Sequence, residues 1–181
     1  MNFGIKKLKP MLDIQYDDYL KGTDKILRES KKEKKPYLIT VLDRDFIVFP
    51  NVFSPKYFKD TELFAKNLLV EKGSEILEIG SGTGVVSIFT ALKGAKKVLA
   101  IDINPDAVKN TEENIKKHKL KNIVEVRQGN LYDPLKENEK FDVIFWNTPF
   151  GLTENKNISD LEKAVYDPNY KSTERFIKEA P

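Results

Sequence analysis

The stretch that decides the fold is Glu75-Ile76-Leu77-Glu78-Ile79-Gly80-Ser81-Gly82-Thr83-Gly84-Val85-Val86. Glu75 to Ile79 has the length and apolar content of a short buried strand, and Gly84 to Leu92 those of an apolar helix. Three glycines at alternate positions fall where the strand ends and the helix begins. Glycine there permits a tight turn and lets a ligand approach the backbone. In an open α/β sheet such a turn lies at the carboxyl end of its strand, in the crevice where ligands bind.

Downstream, the alternation continues. Lys97 to Ile101 reads as a second strand, Pro105 to Lys117 as a helix, Ile123 to Arg127 as a third strand and Phe141 to Trp146 as a fourth. Asn104 is placed as the helix N-cap with Pro105 at the first helical position. Ser172 to Ala180 reads as a last helix, capped by Ser172. This βαβαβ order demands a parallel sheet with right-handed crossovers, so the fold class is α/β. Upstream, Asp60-Thr61-Glu62 opens a helix with Leu63, Phe64, Ala65, Leu68 and Leu69 as its apolar stripe, and residues 50–55 form a loop before it. Two β-rich runs, 37–42 and 46–49, flank Asp43-Arg44-Asp45 and predict a hairpin. Tyr16 to Arg28 can form a helix, followed by a charged run to Lys35. The expected organisation is a leader over residues 1–35 and one domain over 36–181.

Composition removes several chemistries. Of 181 residues none is cysteine and one, His118, is histidine. Disulfides, thiolate catalysis and Cys-ligated metals are excluded, no metal site is expected, and no imidazole base is available beyond His118. His118 ends a lysine-rich helix and reads as exposed, and Trp146 reads as core. No run approaches the ~18 apolar residues of a membrane span, and residues 1–9 lack a signal peptide's apolar core, so a cytoplasmic location is expected. Residues 1–40 carry ten Lys/Arg against six Asp/Glu, so this leader is basic, while the remainder is −1. A basic arm can meet RNA or another polyanion, or be a solvated leader.

The glycine turn does not match a dinucleotide fingerprint, because Val85 stands where G-x-G-x-x-G needs its third glycine, and no Walker A pattern is present. Residues 78–84 instead resemble motif I, E/D-x-G-x-G-x-G, of the class I S-adenosylmethionine-dependent methyltransferases. The resemblance implies a Rossmann-like sheet, S-adenosylmethionine as cofactor and S-adenosylhomocysteine as product. It places Glu78, Gly80, Ser81, Gly82 and Gly84 around the amino-acid part of the cofactor. Asp102, 22 residues after Gly80, ends the second strand, where a carboxylate can accept both ribose hydroxyls, with Ile103 beside it. Asn130 and Leu131 follow the third strand. Asn130 is implied to face the adenine amino group, or else caps a short helix.

After the fourth strand, Asn147-Thr148-Pro149-Phe150 resembles motif IV, [DN]-P-P-[FYW], of methyltransferases acting on planar nitrogens such as adenine N6, guanine N2 or a glutamine amide. The implied catalytic residues are Asn147, Pro149 and Phe150, with Asn147 also beside the cofactor. An Asn oxygen and a backbone carbonyl would accept the two N–H groups of the acceptor, and the aromatic ring would stack on it. Thr148 replaces the first proline of the pattern, leaving S-, O- and other N-acceptors open. Residues 49–55 and 60–63 resemble the segment preceding motif I in the small-domain methyltransferases, the group that includes release-factor glutamine and rRNA guanine-N2 enzymes. The resemblance makes this loop and helix a lid over the cofactor, the other reading being a helix N-terminus packed on the sheet. Residues 166–170 form a loop where substrate could pass. The expected substrate is RNA or protein, with a small molecule, or a non-catalytic cofactor- or RNA-binding module, as the alternatives. The family sheet has seven strands ordered 3-2-1-4-5-7-6. Four can be placed here, so the sheet is expected to be truncated after the fourth and the chain to be part of a longer protein.

Overall fold

The computed structural model describes residues 13–180. Helix α1 (Asp13–Ser30) leads into β1 (Tyr37–Val41) and β2 (Arg44–Val48), then α2 (Asp60–Asn67). The alternating section is β3 (Glu75–Ile79), α3 (Val85–Leu92), β4 (Lys97–Asp102), α4 (Pro105–Lys117), β5 (Val124–Gln128) and β6 (Val143–Trp146). After it come β7 (Gly151–Thr153), α5 (Asp160–Lys163), β8 (Tyr166–Pro168) and α6 (Lys171–Glu179).

The central sheet is parallel throughout, ordered β5-β4-β3-β6, as the alternation predicts. Side chains alternate across it. Ile76, Val98 and Val124 face a cluster built with Val85, Ile88 and Phe89 of α3. Leu77, Ile79, Leu99 and Ile101 face the other, built with Leu131 and Tyr132, on which Phe176 of α6 packs. Asn104 caps α4 as expected, accepting from the backbone N–H of Asp106 at 2.9 Å.

The hairpin forms with a turn one residue earlier than predicted. Val41 pairs with Arg44, so Leu42 and Asp43 make the turn, with Leu42 at φ 50°. The strand β2 is docked by α4. Asn114 accepts from the N–H of Ile47 at 2.9 Å, Asn110 accepts from that of Phe49 at 2.7 Å, and both amides donate to the carbonyl of Ile47. Both asparagines are fully buried, and each bond satisfies a strand-edge group that would otherwise be desolvated without a partner. His118, at the end of α4, is half-buried rather than exposed. Its ring lies 4.7 Å from that of Phe46, because the docked hairpin covers it.

Two further expectations are corrected. The apolar stripe of α2 reduces to Ala65, which is buried, and to Phe64 and Leu68, which pack against the same cluster; Leu63 and Leu69 face outward, because this eight-residue helix touches the body along one narrow line. The leader is not a free arm over residues 13–30. Leu27 is buried with Leu161 and Val165, Lys31 pairs with Glu162 at 2.8 Å, and the Tyr166 hydroxyl donates to Asp24 at 2.5 Å. Helix α1 holds five acids against three bases. The basic excess of the leader therefore lies in residues 31–35 and in residues 1–12, which are outside the described residues.

Gly84 has the least room of the three motif glycines. It has φ +76°, and a Cβ there would meet Thr111 at 2.9 Å. Thr111 cannot withdraw, being fully buried and bonded through its hydroxyl to the carbonyl of Gly82 at 3.1 Å. Gly84→Ala is therefore expected to destabilise the chain by about 2–3 kcal/mol from the left-handed backbone and the overlap together, read as a lower urea midpoint.

Candidate functional site

Strand register assembles the site. Ile79 pairs with Ile101 on one side and Trp146 on the other. Gly80, Asp102 and Asn147 therefore emerge near one another at the carboxyl end of the sheet, although they are far apart in the chain. A cavity of about 380 Å³ opens there, lined by all three, within the size range of small-molecule and cofactor sites.

Its floor is the glycine turn, where Gly80, Ser81, Gly82 and Thr83 line the cavity. Gly84 does not line it and packs against Thr111 instead, and the three glycines have φ 69°, 55° and 76°. Helix α4 fixes the turn from behind. Thr111 bonds Ser81 and the Gly82 carbonyl, and Asn114 donates to the Thr83 carbonyl at 2.9 Å. The sequence reading missed Asn110, Thr111 and Asn114. Their signal was a row of polar residues on the inner side of α4, beside Ala107 and Ile115.

Asp102 is buried. One oxygen accepts from the Gly82 N–H at 2.8 Å and the other from the Asn104 N–H at 2.9 Å. A carboxylate has about four acceptor positions, so two remain for a ligand. Burial raises its pKa to about 6 against the pull of those amides, with the charge of Asp160 adding to the rise. Glu78 is buried on the α3 face of β3, and the Ser87 hydroxyl donates to it. Burial lifts its pKa to about 8.

The raised value of Glu78 has a measurable consequence. In the unfolded chain this acid ionises near 4.5, and in the folded chain near 8. The stability it contributes is complete below the lower value and is lost as pH rises through about 8. His118, held below its usual value by burial, acts in the opposite sense, so the clean comparison is between variants. Glu78→Gln is expected to match wild type in melting temperature near pH 5 and to exceed it increasingly toward pH 8.5. The gap grows by at most about 1.4 kcal/mol per pH unit. Parallel melting curves across that range would contradict the assignment.

The end of β6 carries the candidate acceptor site. Asn147 and Pro149 line the cavity. The Asn147 amide nitrogen donates to Asp60 at the start of α2 at 2.7 Å, a partner the sequence reading missed. Thr148 is exposed. Phe150, expected to stack on the acceptor, is not among the lining residues. Its ring packs on Tyr19 at 5.2 Å and joins the Leu27 cluster, because the chain turns into β7 and carries the ring toward α1. Trp146 is half-buried and lines the cavity, its indole close to Gly80, so it is a wall as well as core.

A third wall comes from residues that the sequence reading left as loop. Lys156, Asp160, Leu161 and Lys163 line the cavity. Ser159 and Glu162 form a capping box at α5. Of the predicted 166–170 loop, Tyr166, Asp167 and Pro168 line the cavity, and Asn169 and Tyr170 do not. Asp167 is buried and accepts from the N–H groups of Ser172 and Thr173, starting α6. Phe53 lines the cavity, stacked on Phe58 at 4.1 Å. Asn130 and Leu131 line it from the end of β5, with Leu131 buried at φ 53°, and Ile103 also contributes.

The donor set favours a particular cofactor. Two carboxylates, Glu78 and Asp102, flank the glycine turn. The ionised Asp102 opposes a pyrophosphate and fits ribose hydroxyls, and the acid at Glu78 fits a cationic amino-acid group, whose charge draws its proton off. S-adenosylmethionine carries both.

The comparisons with known proteins agree. Residues 43–167 match the methyltransferase small domain. The chain is 39% identical over 137 residues to a putative protein N5-glutamine methyltransferase of Methanocaldococcus jannaschii, covering 73% of this chain and 66% of that protein. It is 38% identical over 114 residues to the release factor glutamine methyltransferase of Aquifex aeolicus, covering 60% of this chain and 40% of that one. It superposes on Trm5 of M. jannaschii, solved in complex with adenosine, with a TM-score of 0.54 and 25% identity over 65% of this chain and 36% of that one. The chain thus spans at most 66% of these relatives. Glycine turn, acidic strand end and parallel sheet, together with a match over most of the chain, make it a member of the methyltransferase small-domain family, whose cofactor is S-adenosylmethionine.

Proposed function

We propose that the chain binds S-adenosylmethionine and transfers its methyl group to a planar nitrogen, foremost the side-chain amide of a glutamine in a protein. The observation that carries this is the bond from Asn147 to Asp60. It commits the amide nitrogen of Asn147 to Asp60, so the amide oxygen is left to accept an N–H in the cavity that Asp102 and the glycine turn also line. The names of the two curated relatives support the protein glutamine reading.

When bound, the cofactor supplies a methyl group on a sulfonium. The rest falls to this chain. Asp102 accepts ribose hydroxyls through its two remaining positions. Glu78, its pKa drawn down from about 8 by a cationic group docked at the glycine turn, balances that charge once ionised. The Asn147 oxygen accepts one N–H of the acceptor, and a neighbouring backbone carbonyl takes the other. Those bonds draw the nitrogen lone pair out of conjugation and fix its direction of approach. The nitrogen releases its proton to solvent after transfer, and no strong base is needed. Pro149 stiffens the turn. Phe150, turned toward α1, does not stack on the acceptor; the aromatic side chains that line the cavity are those of Phe53, Phe64, Phe145, Trp146 and Tyr166. No described helix is long and apolar enough to cross a membrane, and the reading places the protein in the cytoplasm.

The test supplies labelled S-adenosylmethionine with a release factor purified from cells lacking its glutamine methyltransferase, and with total RNA in parallel. Label that is protease-sensitive, nuclease-resistant and located on glutamine by mass spectrometry is expected. Nuclease-sensitive label would move the acceptor to RNA. Cofactor binding without transfer to either would leave the binding-module alternative.

A further inference from the structure

We propose that Asp60 is a positioning residue for methyl transfer, acting through Asn147; the proposal rests on the acceptor reading above. Asp60 does not line the cavity, whereas Asn147 does. The carboxylate sits behind the amide. One oxygen accepts from Asn147 at 2.7 Å, and the other from the backbone N–H of Thr61 at 3.0 Å in the first turn of α2. Both oxygens are thus held, and the carboxylate is half-buried.

Three consequences follow from ordinary amide chemistry. An asparagine amide can flip, exchanging its donor and acceptor ends. A carboxylate only accepts, so it permits a single orientation, with the nitrogen toward Asp60 and the oxygen toward the cavity. The alternative orientation would set two acceptors against each other and present a donor to an acceptor N–H. Second, a charged acceptor on the N–H side increases the electron density of the amide oxygen at the other end, because linked hydrogen bonds polarise one another. The Asn147 oxygen becomes a stronger acceptor just where the target nitrogen must lose its conjugation. Third, the bond ties Asn147 at the end of β6 to α2, bridging 87 residues of sequence. The acceptor residue is therefore tied to α2, whose Thr61 and Phe64 also line the cavity.

The test compares Asp60→Asn, Asp60→Ala, Asn147→Ala and the double variant Asp60→Ala/Asn147→Ala in the release-factor assay, with S-adenosylhomocysteine affinity and thermal stability measured alongside. Asp60→Asn removes the charge and restores freedom to flip at almost constant shape. It is expected to lower kcat by roughly tenfold to thirtyfold, a typical cost of loosening a positioned group, with cofactor affinity and melting temperature close to wild type. The double variant is expected to be no slower than Asn147→Ala alone, because residues acting as one unit are not additive. In the amide NMR spectrum of the 181-residue chain, one side-chain proton of Asn147 is expected to lie downfield in wild type and to return in Asp60→Asn. A variant Asp60→Asn with full kcat beside an inactive Asn147→Ala overturns the positioning role and leaves the acceptor reading intact. Parallel losses of stability, affinity and kcat in Asp60→Asn assign Asp60 to the fold instead. An Asn147→Ala variant as active as wild type overturns the acceptor reading and this proposal with it.

Discussion

Replacing Asn147 with alanine is expected to lower kcat by about a hundredfold to a thousandfold while changing cofactor affinity by no more than about threefold. The magnitude is that of removing one preorganised transition-state hydrogen bond, about 3–4 kcal/mol. The split follows from position. Asn147 follows β6, on the far side of β3 from Asp102, and its nitrogen is already engaged by Asp60. Its oxygen meets the acceptor nitrogen as that nitrogen gains positive character, so the bond strengthens during the reaction. Equal losses in affinity and kcat would mean that Asn147 serves the cofactor alone. Single-turnover transfer at saturating cofactor is the measurement that separates the two.

Asp102→Ala is expected to act on the other half of the cycle, weakening S-adenosylmethionine binding by about a hundredfold. Two hydrogen bonds from ligand hydroxyls to a buried carboxylate contribute about 1.5 kcal/mol each, and 1.4 kcal/mol is a tenfold change. Asp102 also accepts from the Gly82 N–H at 2.8 Å, so the variant loosens the glycine turn as well. Asp102→Asn separates the two effects in part. It retains shape and one acceptor oxygen, and is expected to fall between wild type and alanine. At saturating cofactor both variants should recover most of their transfer rate, unlike Asn147→Ala.

The features legible in the sequence are those encoded locally. Strand, glycine turn and helix lie within residues 75–92, and the Asn104 cap with Pro105 is a two-residue signal that the structure reproduces. Parallel pairing followed from the alternation, because sequential βα units leave one favourable handedness. The clustering of Glu78, Asp102 and Asn147 at one cavity followed in turn, since each stands at or next to a strand terminus. What escaped was non-local or too short. The Asp60–Asn147 bond joins residues 87 apart, and the clamp of Asn110 and Asn114 on β2 spans more than 60. Nothing in a polar helix residue announces which distant backbone group it satisfies. Strands β7 and β8 are three residues each and pair only with one another, below the length at which periodicity can be read. Phe150 carried the right residue type for a stacking platform, but its direction is set by α1. There Tyr19 meets the ring, and the Tyr16 hydroxyl accepts from the Leu152 N–H at 2.9 Å. Outward-facing Leu63 and Leu69 satisfied a helical stripe on paper, and only the narrow docking line of α2 shows otherwise.

The central claim is that one cavity holds S-adenosylmethionine against Asp102 and the glycine turn. Calorimetric titration of the 181-residue chain with S-adenosylmethionine, beside Asp102→Ala, tests it most directly. One molecule bound per chain, with affinity about a hundredfold weaker in a folded Asp102→Ala, is the predicted result. Equal affinity in the two proteins, or a folded wild-type chain that takes up no cofactor, would contradict it.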